Sequence, residues 1–134
     1  FDNARNSSEA TQIITVDTCG RTYSDYNIIE GTEGNDIIQG TVGDDLIFGL
    51  AGNDIISGGD GNDCIFGGIG DDIISGNDGN DTIKGNSGHD ILRGESGADI
   101  IYSNSGSDVI DGGIDTDRCY TPDSQTDLLL NCEE

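Results

Sequence analysis

Large aliphatic residues recur through the middle of this chain at a strict interval of nine residues. A residue of strand character lies on each side, as in Ile37-Ile38-Gln39. Successive side chains of a strand point to opposite faces, so the recurring residue faces one way and its neighbours the other. We therefore predict a three-residue strand in every nine-residue unit, with the recurring residue in the interior. The predicted interior residues are Ile38, Ile47, Ile56, Ile65, Ile74, Ile83, Leu92, Ile101 and Ile110.

Six glycine-rich, polar residues separate one predicted strand from the next. Gly opens every unit except the ninth, which opens with Ser103. Gly also fills the fourth position of every unit except the tenth, where Asp115 replaces it. Glycine at these two positions indicates tight turns whose backbone a Cβ would obstruct. The sixth position is Asp in all ten units, from Asp36 to Asp117.

A period this strict, with no insertion, indicates stacked copies of one supersecondary unit rather than an ordinary globular core. The unit G-G-x-G-x-D-x-U-x, in which U is a large aliphatic residue, resembles the calcium-binding nonapeptide of repeats-in-toxin (RTX) proteins. The resemblance covers residues 31–120. It implies an all-β fold, a right-handed parallel β-roll (a β-solenoid) in which two repeats make one coil.

The same resemblance implies that Ca²⁺ lies between turns stacked on one side of the roll, two repeats apart. Backbone carbonyl oxygens would complete each ligand set, which suits a hard cation. Four intervals on each side would make about eight calcium sites. The aspartates would form two columns, Asp36, Asp54, Asp72, Asp90 and Asp108 on one side and Asp45, Asp63, Asp81, Asp99 and Asp117 on the other.

The charge of the chain supports calcium binding independently. The formal net charge is −22 with only five basic residues, which is strong self-repulsion for a small domain. Eight Ca²⁺ would reduce the net charge to −6. Without calcium, an acidic, glycine-rich chain with few aromatic residues has the composition of a disordered one. We therefore expect calcium to drive folding.

A chain of 134 residues fits one domain, which we divide into three parts. Residues 1–30 are expected to form an N-terminal arm and cap, 31–120 the β-roll and 121–134 a C-terminal cap. In the first part, residues 13–16 (IITV) have the character of a short strand. Residues 27–30 (NIIE) have the phase of a repeat's end, with Asn27 where Asp is expected and Ile29 pointing inward.

Composition and charge also bound the setting and the partners. The chain has no Met and no apolar run long enough to span a membrane, so we expect a processed or excised form from which any signal peptide is gone. Four cysteines in a small acidic chain indicate a secreted protein, extracellular or at the cell surface. The negative charge excludes nucleic acid as a partner.

The four cysteines predict one disulfide and leave a second question open. Cys119 and Cys132 both lie in the C-terminal segment, where a bridge would staple a cap over the open end of the roll. Cys64 occupies the seventh position of its unit, so we expect it to point outward near the middle of the stack. Cys64 and Cys19 are then free thiols, an intrachain bridge, or an intermolecular disulfide between neighbouring chains.

The outward faces of the strands are candidate contact surfaces. On one side the seventh position stacks Ile37, Ile55, Ile73, Ile91 and Val109 in one apolar column. On the other the ninth position stacks Phe48, Phe66, Lys84, Tyr102 and Tyr120. Such residues also favour strands in general, but an apolar column on a rigid surface is typical of a contact site.

The sequence contains little that suggests catalysis. The single histidine, His89, occupies a variable turn position, and no nucleophile elbow, phosphate loop or zinc-ligand cluster is present. We therefore predict a non-enzymatic, calcium-binding structural protein that self-associates as a surface, matrix or filament subunit. The alternatives are a calcium-dependent accessory or carbohydrate-binding module of a secreted enzyme or toxin, and a monomeric calcium buffer.

Overall fold

The computed structural model describes residues 19–122 and 126–133. A short 3₁₀ helix at Tyr23–Asp25 precedes the strands. The strands are β1 Asn27–Glu30, β2 Ile37–Gln39, β3 Asp45–Phe48, β4 Ile55–Asp60, β5 Cys64–Ile69, β6 Ile73–Asp78, β7 Thr82–Ser87, β8 Ile91–Ser96, β9 Ile100–Ser105, β10 Val109–Ile114, β11 Arg118–Tyr120 and β12 Leu128–Leu130. The predicted strand at residues 13–16 lies outside the described residues.

The strands form two parallel sheets that face each other across the interior. The odd-numbered strands make one six-stranded sheet in the order β11-β9-β7-β5-β3-β1, and the even-numbered strands make the other, β12-β10-β8-β6-β4-β2. Partners within a sheet are 18 residues apart along most of the roll, as Ile73 is from Ile91. Two nine-residue units therefore make one coil, which confirms the predicted parallel β-roll.

The interior of the roll is the column predicted from the nine-residue period. All nine predicted residues are buried and form a single hydrophobic cluster. Ile29 packs against the cluster at the N-terminal end, and Cys119 and Cys132 pack against it at the C-terminal end. Each buried aliphatic side chain contributes roughly 1.5–3 kcal/mol, but the core is only one side chain wide.

Most strands are longer than the predicted three residues. Strands β4 to β10 each run for six residues and include the first three residues of the following unit. The extra residues continue the parallel register, since Gly59 pairs with Asn77 and Asp60 with Asp78. These residues pair within the parallel sheet although Asn77 has a positive φ of 79°. The turn is therefore shorter than the glycine content suggested.

The N-terminal segment is fastened to the outer face of the odd-numbered sheet. Cys19 and Cys64 form a disulfide within the chain, and Cys64 is only 1% exposed. The Arg21 guanidinium donates a hydrogen bond to Asp44 Oδ2 at 2.7 Å and lies over the Tyr26 ring. The expectation that Cys64 lies on the surface was therefore wrong, and of the three alternatives left open for Cys19 and Cys64 the structure contains the intrachain bridge.

The spacing of the strands explains why Cys19 can reach Cys64. Cys64 begins β5, which is separated from β1 by β3 alone. Two strand spacings amount to roughly 10 Å. The eight residue steps from Cys19 to Asn27, where β1 starts, can span roughly 26 Å when extended, so the sulfur atoms meet easily despite their separation of 45 residues.

The C-terminal segment continues both sheets and closes with a disulfide. Strand β12 pairs with β10, with Leu128 beside Val109, and β11 pairs with β9. The Cys119–Cys132 disulfide, which is the pairing the sequence favoured, joins β11 to the residues that follow β12. The step from β10 to β12 is 19 residues instead of 18, so the segment before β12 accommodates one extra residue.

Candidate metal sites

The sixth-position aspartates stack into two ladders, one along each row of turns. The backbone N–H of each Asp donates to Oδ1 of the Asp one coil further on, at 2.8–2.9 Å in all eight pairs. The stacking groups the residues as the RTX resemblance implied. The Asp36 ladder consists of Asp36, Asp54, Asp72, Asp90 and Asp108, and the Asp45 ladder of Asp45, Asp63, Asp81, Asp99 and Asp117.

The second carboxylate oxygen along these ladders is enclosed by the protein. Every ladder aspartate except Asp36 is at most 2% exposed. The Oδ2 atoms are buried and accept no hydrogen bond at Asp54, Asp63, Asp72, Asp81, Asp90, Asp99 and Asp117. A buried carboxylate oxygen without a donor or cation is strongly unfavourable. Its repetition at every coil indicates a recurring positively charged ligand.

Burial changes the acidity of these carboxyl groups. Removal from water raises the pKa of Asp81 to about 8, and the pKa values of Asp63, Asp90 and Asp99 to about 7. The backbone N–H that each carboxylate accepts opposes this rise in pKa, and neighbouring ladder carboxylates add to it. Near neutral pH, an ionised ladder therefore requires compensation by another charge.

The glycine that opens each unit leaves space for the carboxylate. A Cβ on Gly67 would lie 2.5 Å from Asp72 Oδ2 and 2.9 Å from the Gly85 carbonyl oxygen of the next coil. A Cβ on Gly85 would lie 2.5 Å from Asp90 Oδ2. A side chain at Gly67 or Gly85 would displace the carboxylate, so glycine at these positions permits carboxylate and carbonyl oxygens to approach the same region.

The first aspartate of each ladder has a different environment. Thr32 donates to the Asp36 carboxylate through its N–H, at 2.6 Å, and through its hydroxyl. Thr41 does the same at Asp45, and Asn27 Nδ2 also donates to Asp45 Oδ1 at 3.1 Å. Neutral donors therefore satisfy the N-terminal end of both ladders.

The repeat pattern missed a further ladder residue at the other end. Asp127 Oδ1 accepts the Asp108 N–H at 2.9 Å, which repeats the ladder contact one coil further on. Its Oδ2 accepts a hydrogen bond from the Ser103 hydroxyl at 3.0 Å. Asp127 follows Asp108 by 19 residues, so a search at strict nine-residue intervals skips it. Ser103 in place of the opening glycine was the available signal.

The fifth positions form a second ladder that the sequence analysis did not predict. From Asn53 to Ser107, the N–H of the fifth-position residue donates to the side chain one coil earlier, as Asn53 does to Asn35 Oδ1. His89 is exposed, and its Nδ1 accepts the Ser107 N–H at 3.0 Å. Asn and Asp at this position are therefore turn-stacking residues, and they explain why the turns keep a constant spacing.

The donor set determines which ligand the ladders can accept. In the described part of the chain, no group of three or more His, Cys, Asp or Glu side chains could hold a metal ion by itself. A cation between two coils would instead use paired carboxylates together with backbone carbonyl oxygens. An all-oxygen set rich in carboxylate fits a hard cation such as Ca²⁺ and does not fit Zn²⁺.

Comparison with protein-family models matches four copies of the RTX calcium-binding nonapeptide repeat, at residues 30–65, 58–92, 66–101 and 84–119. Together these matches cover about two thirds of the chain. The chain belongs to the RTX repeat family. RTX repeats bind calcium, and the buried ladders of this roll agree with that chemistry. No curated protein and no solved structure matches the chain.

The two predicted surface columns of the RTX roll occupy opposite faces. The column Ile37, Ile55, Ile73, Ile91 and Val109 lies in register on the even-numbered sheet and continues to Leu128. Ile37 is 85% exposed and Ile73 38%. On the odd-numbered sheet, Phe48 stacks on Phe66 and Tyr102 on Tyr120, with the Lys84 ammonium between the two pairs.

No helix among residues 19–122 and 126–133 has the length and hydrophobicity that a membrane crossing requires.

The raised carboxyl pKa values predict how the calcium-free RTX roll responds to pH. An Asp with a folded pKa of about 7 or 8 and an unfolded pKa of about 3.9 binds more protons when folded. Stability then falls as pH rises from about 4 to about 8. We expect calcium-free protein at pH 5 to retain more β signal by far-ultraviolet circular dichroism than calcium-free protein at pH 8. Equal β signals at the two pH values would contradict this.

Proposed function

We propose that the chain is a secreted structural protein whose roll is folded and rigidified by Ca²⁺ bound along both aspartate ladders. The observation that carries this proposal is the repeated Oδ2 atom that is buried and accepts no hydrogen bond, as in Asp72 and Asp81. A divalent cation between successive coils would compensate these carboxylates. About eight such ions would also reduce the net charge from −22 to −6.

The proposed setting is extracellular. Two disulfides, Cys19–Cys64 and Cys119–Cys132, fit an oxidising compartment. Millimolar extracellular calcium is also in the range that weak modular sites require, with Kd values of roughly 10⁻⁴ to 10⁻³ M. Calcium would therefore load the chain after export. We propose no catalytic role for the ladder aspartates, because all of them share one stacking arrangement and none forms a separate carboxylate pair across a cleft.

We further propose that the calcium-loaded rolls associate with one another through the apolar column of the even-numbered sheet. The column runs straight along the roll because strand register keeps its members aligned. A rigid, regular face of this kind loses little conformational freedom on binding, which favours association. Surface, matrix or filament assembly would follow if the contacts repeat from chain to chain.

The assembly state of the purified chain in millimolar calcium tests this function. We expect defined oligomers or filaments by light scattering and electron microscopy, and their loss after chelation. Ile73→Lys should reduce assembly because it places a charge in the middle of the column. Ile69→Lys is the matched control, because Ile69 is 68% exposed but lies outside the column. A calcium-bound monomer at high concentration would exclude self-association and favour a calcium-dependent binding module or a buffer.

A further inference from the structure

The C-terminal end of the Asp45 ladder differs from its N-terminal end. At the N-terminal end, Thr41 and Asn27 donate hydrogen bonds to the Asp45 carboxylate. At the C-terminal end, Asp117 is fully buried, and its Oδ2 accepts no hydrogen bond. The nine-residue pattern makes Asp117 the last residue of this ladder, with no further aspartate above it. The repeats therefore supply no further coil that could complete a cation site beside this oxygen.

The geometry one coil earlier shows what surrounds such an oxygen inside the repeats. A Cβ on Gly94 would lie 2.6 Å from the Gly112 carbonyl oxygen and would also collide with Asp99 Oδ2. The carboxylate of one coil and the opening carbonyl of the next coil therefore converge beside Gly94. This pair of oxygens is the recurring unit of the ladder.

The C-terminal cap reproduces this pair of oxygens outside the repeats. A Cβ on Gly112 would lie 2.7 Å from Asp117 Oδ2 and would also collide with the carbonyl oxygen of Asn131. The Asn131 carbonyl oxygen thus occupies the same position relative to Gly112 as the Gly112 carbonyl oxygen does relative to Gly94. The step from Gly112 to Asn131 is 19 residues, whereas the step from Gly94 to Gly112 is 18. Asn131 has a positive φ of 53°, and its side chain donates to Asp111 Oδ1 at 2.8 Å.

Two features of the cap hold this carbonyl in place and make its surroundings acidic. Cys132 follows Asn131 and is joined to Cys119, and the Glu133 N–H donates to the Asp117 carbonyl oxygen at 2.6 Å. The carboxylates of Asp115 and Glu133 act electrostatically on Asp117. Asp115 keeps the left-handed backbone of the glycine it replaces, with φ of 81°.

We propose that the C-terminal cap completes an additional calcium site over Asp117, in which the Asn131 carbonyl takes the place of a repeat carbonyl and Asp115 and Glu133 supply further negative charge. The inference rests on the proposed calcium function of the ladders. Its consequence is that calcium fastens the disulfide-closed cap to the last coil. The ladder of cations therefore ends in the cap and not in the repeats.

The test compares the number of calcium ions bound by three glycine variants, measured by equilibrium dialysis and native mass spectrometry. Gly112→Ala places a Cβ where Asp117 Oδ2 and the Asn131 carbonyl converge, so it should lose one calcium relative to wild type. Gly94→Ala should also lose one, from the interval between Asp99 and Asp117. Gly43→Ala is the control, because its Cβ would meet nothing closer than 3.9 Å.

The outcomes separate this site from the general function. Loss of one calcium in Gly112→Ala supports the cap site, and a wild-type count in Gly112→Ala beside a loss in Gly94→Ala overturns it. A wild-type chain that binds no calcium overturns the proposed function itself. If Gly112→Ala does not fold in calcium, anomalous scattering from wild-type crystals decides the question, since a peak between Asp117 Oδ2 and the Asn131 carbonyl is either present or absent.

Discussion

Removal of calcium at pH 8 is expected to abolish most of the parallel β structure of this chain. The interior is one column of aliphatic side chains, while ladder aspartates such as Asp72 and Asp81 are buried without a donor for Oδ2. With a Kd of roughly 10⁻⁴ to 10⁻³ M, each site in 1 mM calcium contributes about 0.4–1.4 kcal/mol. Eight sites would contribute about 3–11 kcal/mol, which is comparable to the whole stability of a small domain.

Far-ultraviolet circular dichroism during a calcium titration measures this transition. We expect a disordered spectrum without calcium, a cooperative gain of β signal near millimolar calcium, and full reversal on chelation. Magnesium at the same concentration is the control for general charge screening, because its smaller ion demands a strict octahedral shell and dehydrates reluctantly. An unchanged β spectrum after complete removal of calcium at pH 8 would show that the core and disulfides are sufficient.

The period of nine predicted the interior correctly because one requirement applies to every coil. The residue that enters the shared interior must be a large aliphatic one in every coil, so the burial of Ile74 and Leu92 can be predicted from their positions in the repeat. The sixth-position ladder follows for the same reason, since each Asp accepts an N–H from the coil before it. Regular stacking makes the environment of one repeat the environment of the next.

The flanks could not be predicted in this way because they follow no period. Asp127 joins the Asp36 ladder only after one additional residue, so no rule of fixed spacing could find it. The burial of Cys64 depends on where the N-terminal segment crosses the odd-numbered sheet. The repeat pattern contains no information about that path. The sequence left the pairing of Cys19 and Cys64 open, because the repeat position of Cys64 says nothing about where Cys19 lies.

Substitution Asp81→Asn is expected to act with opposite sign on the two states of the roll. Asp81 Oδ1 accepts the Asp63 N–H at 2.8 Å, and an asparagine carbonyl can keep that bond. The change removes one negative ligand, so calcium affinity should fall roughly tenfold, because ligand charge sets the Kd of such sites. Without calcium, a buried amide costs less than a buried carboxylate, so the variant should be more structured than wild type at pH 8.

The opposite signs are what identify Asp81 as a metal ligand, because loss of a merely structural contact would weaken both states. The midpoint of the calcium titration and the β signal of the calcium-free chains at pH 8, both from circular dichroism, give the two measurements. Asp78→Asn is the matched control: it removes the same charge three residues earlier, from an exposed side chain, and should leave the calcium midpoint nearly unchanged. Asp81→Asn with wild-type calcium affinity would mean that cations do not bind along the Asp45 ladder, since this buried carboxylate lies at its centre.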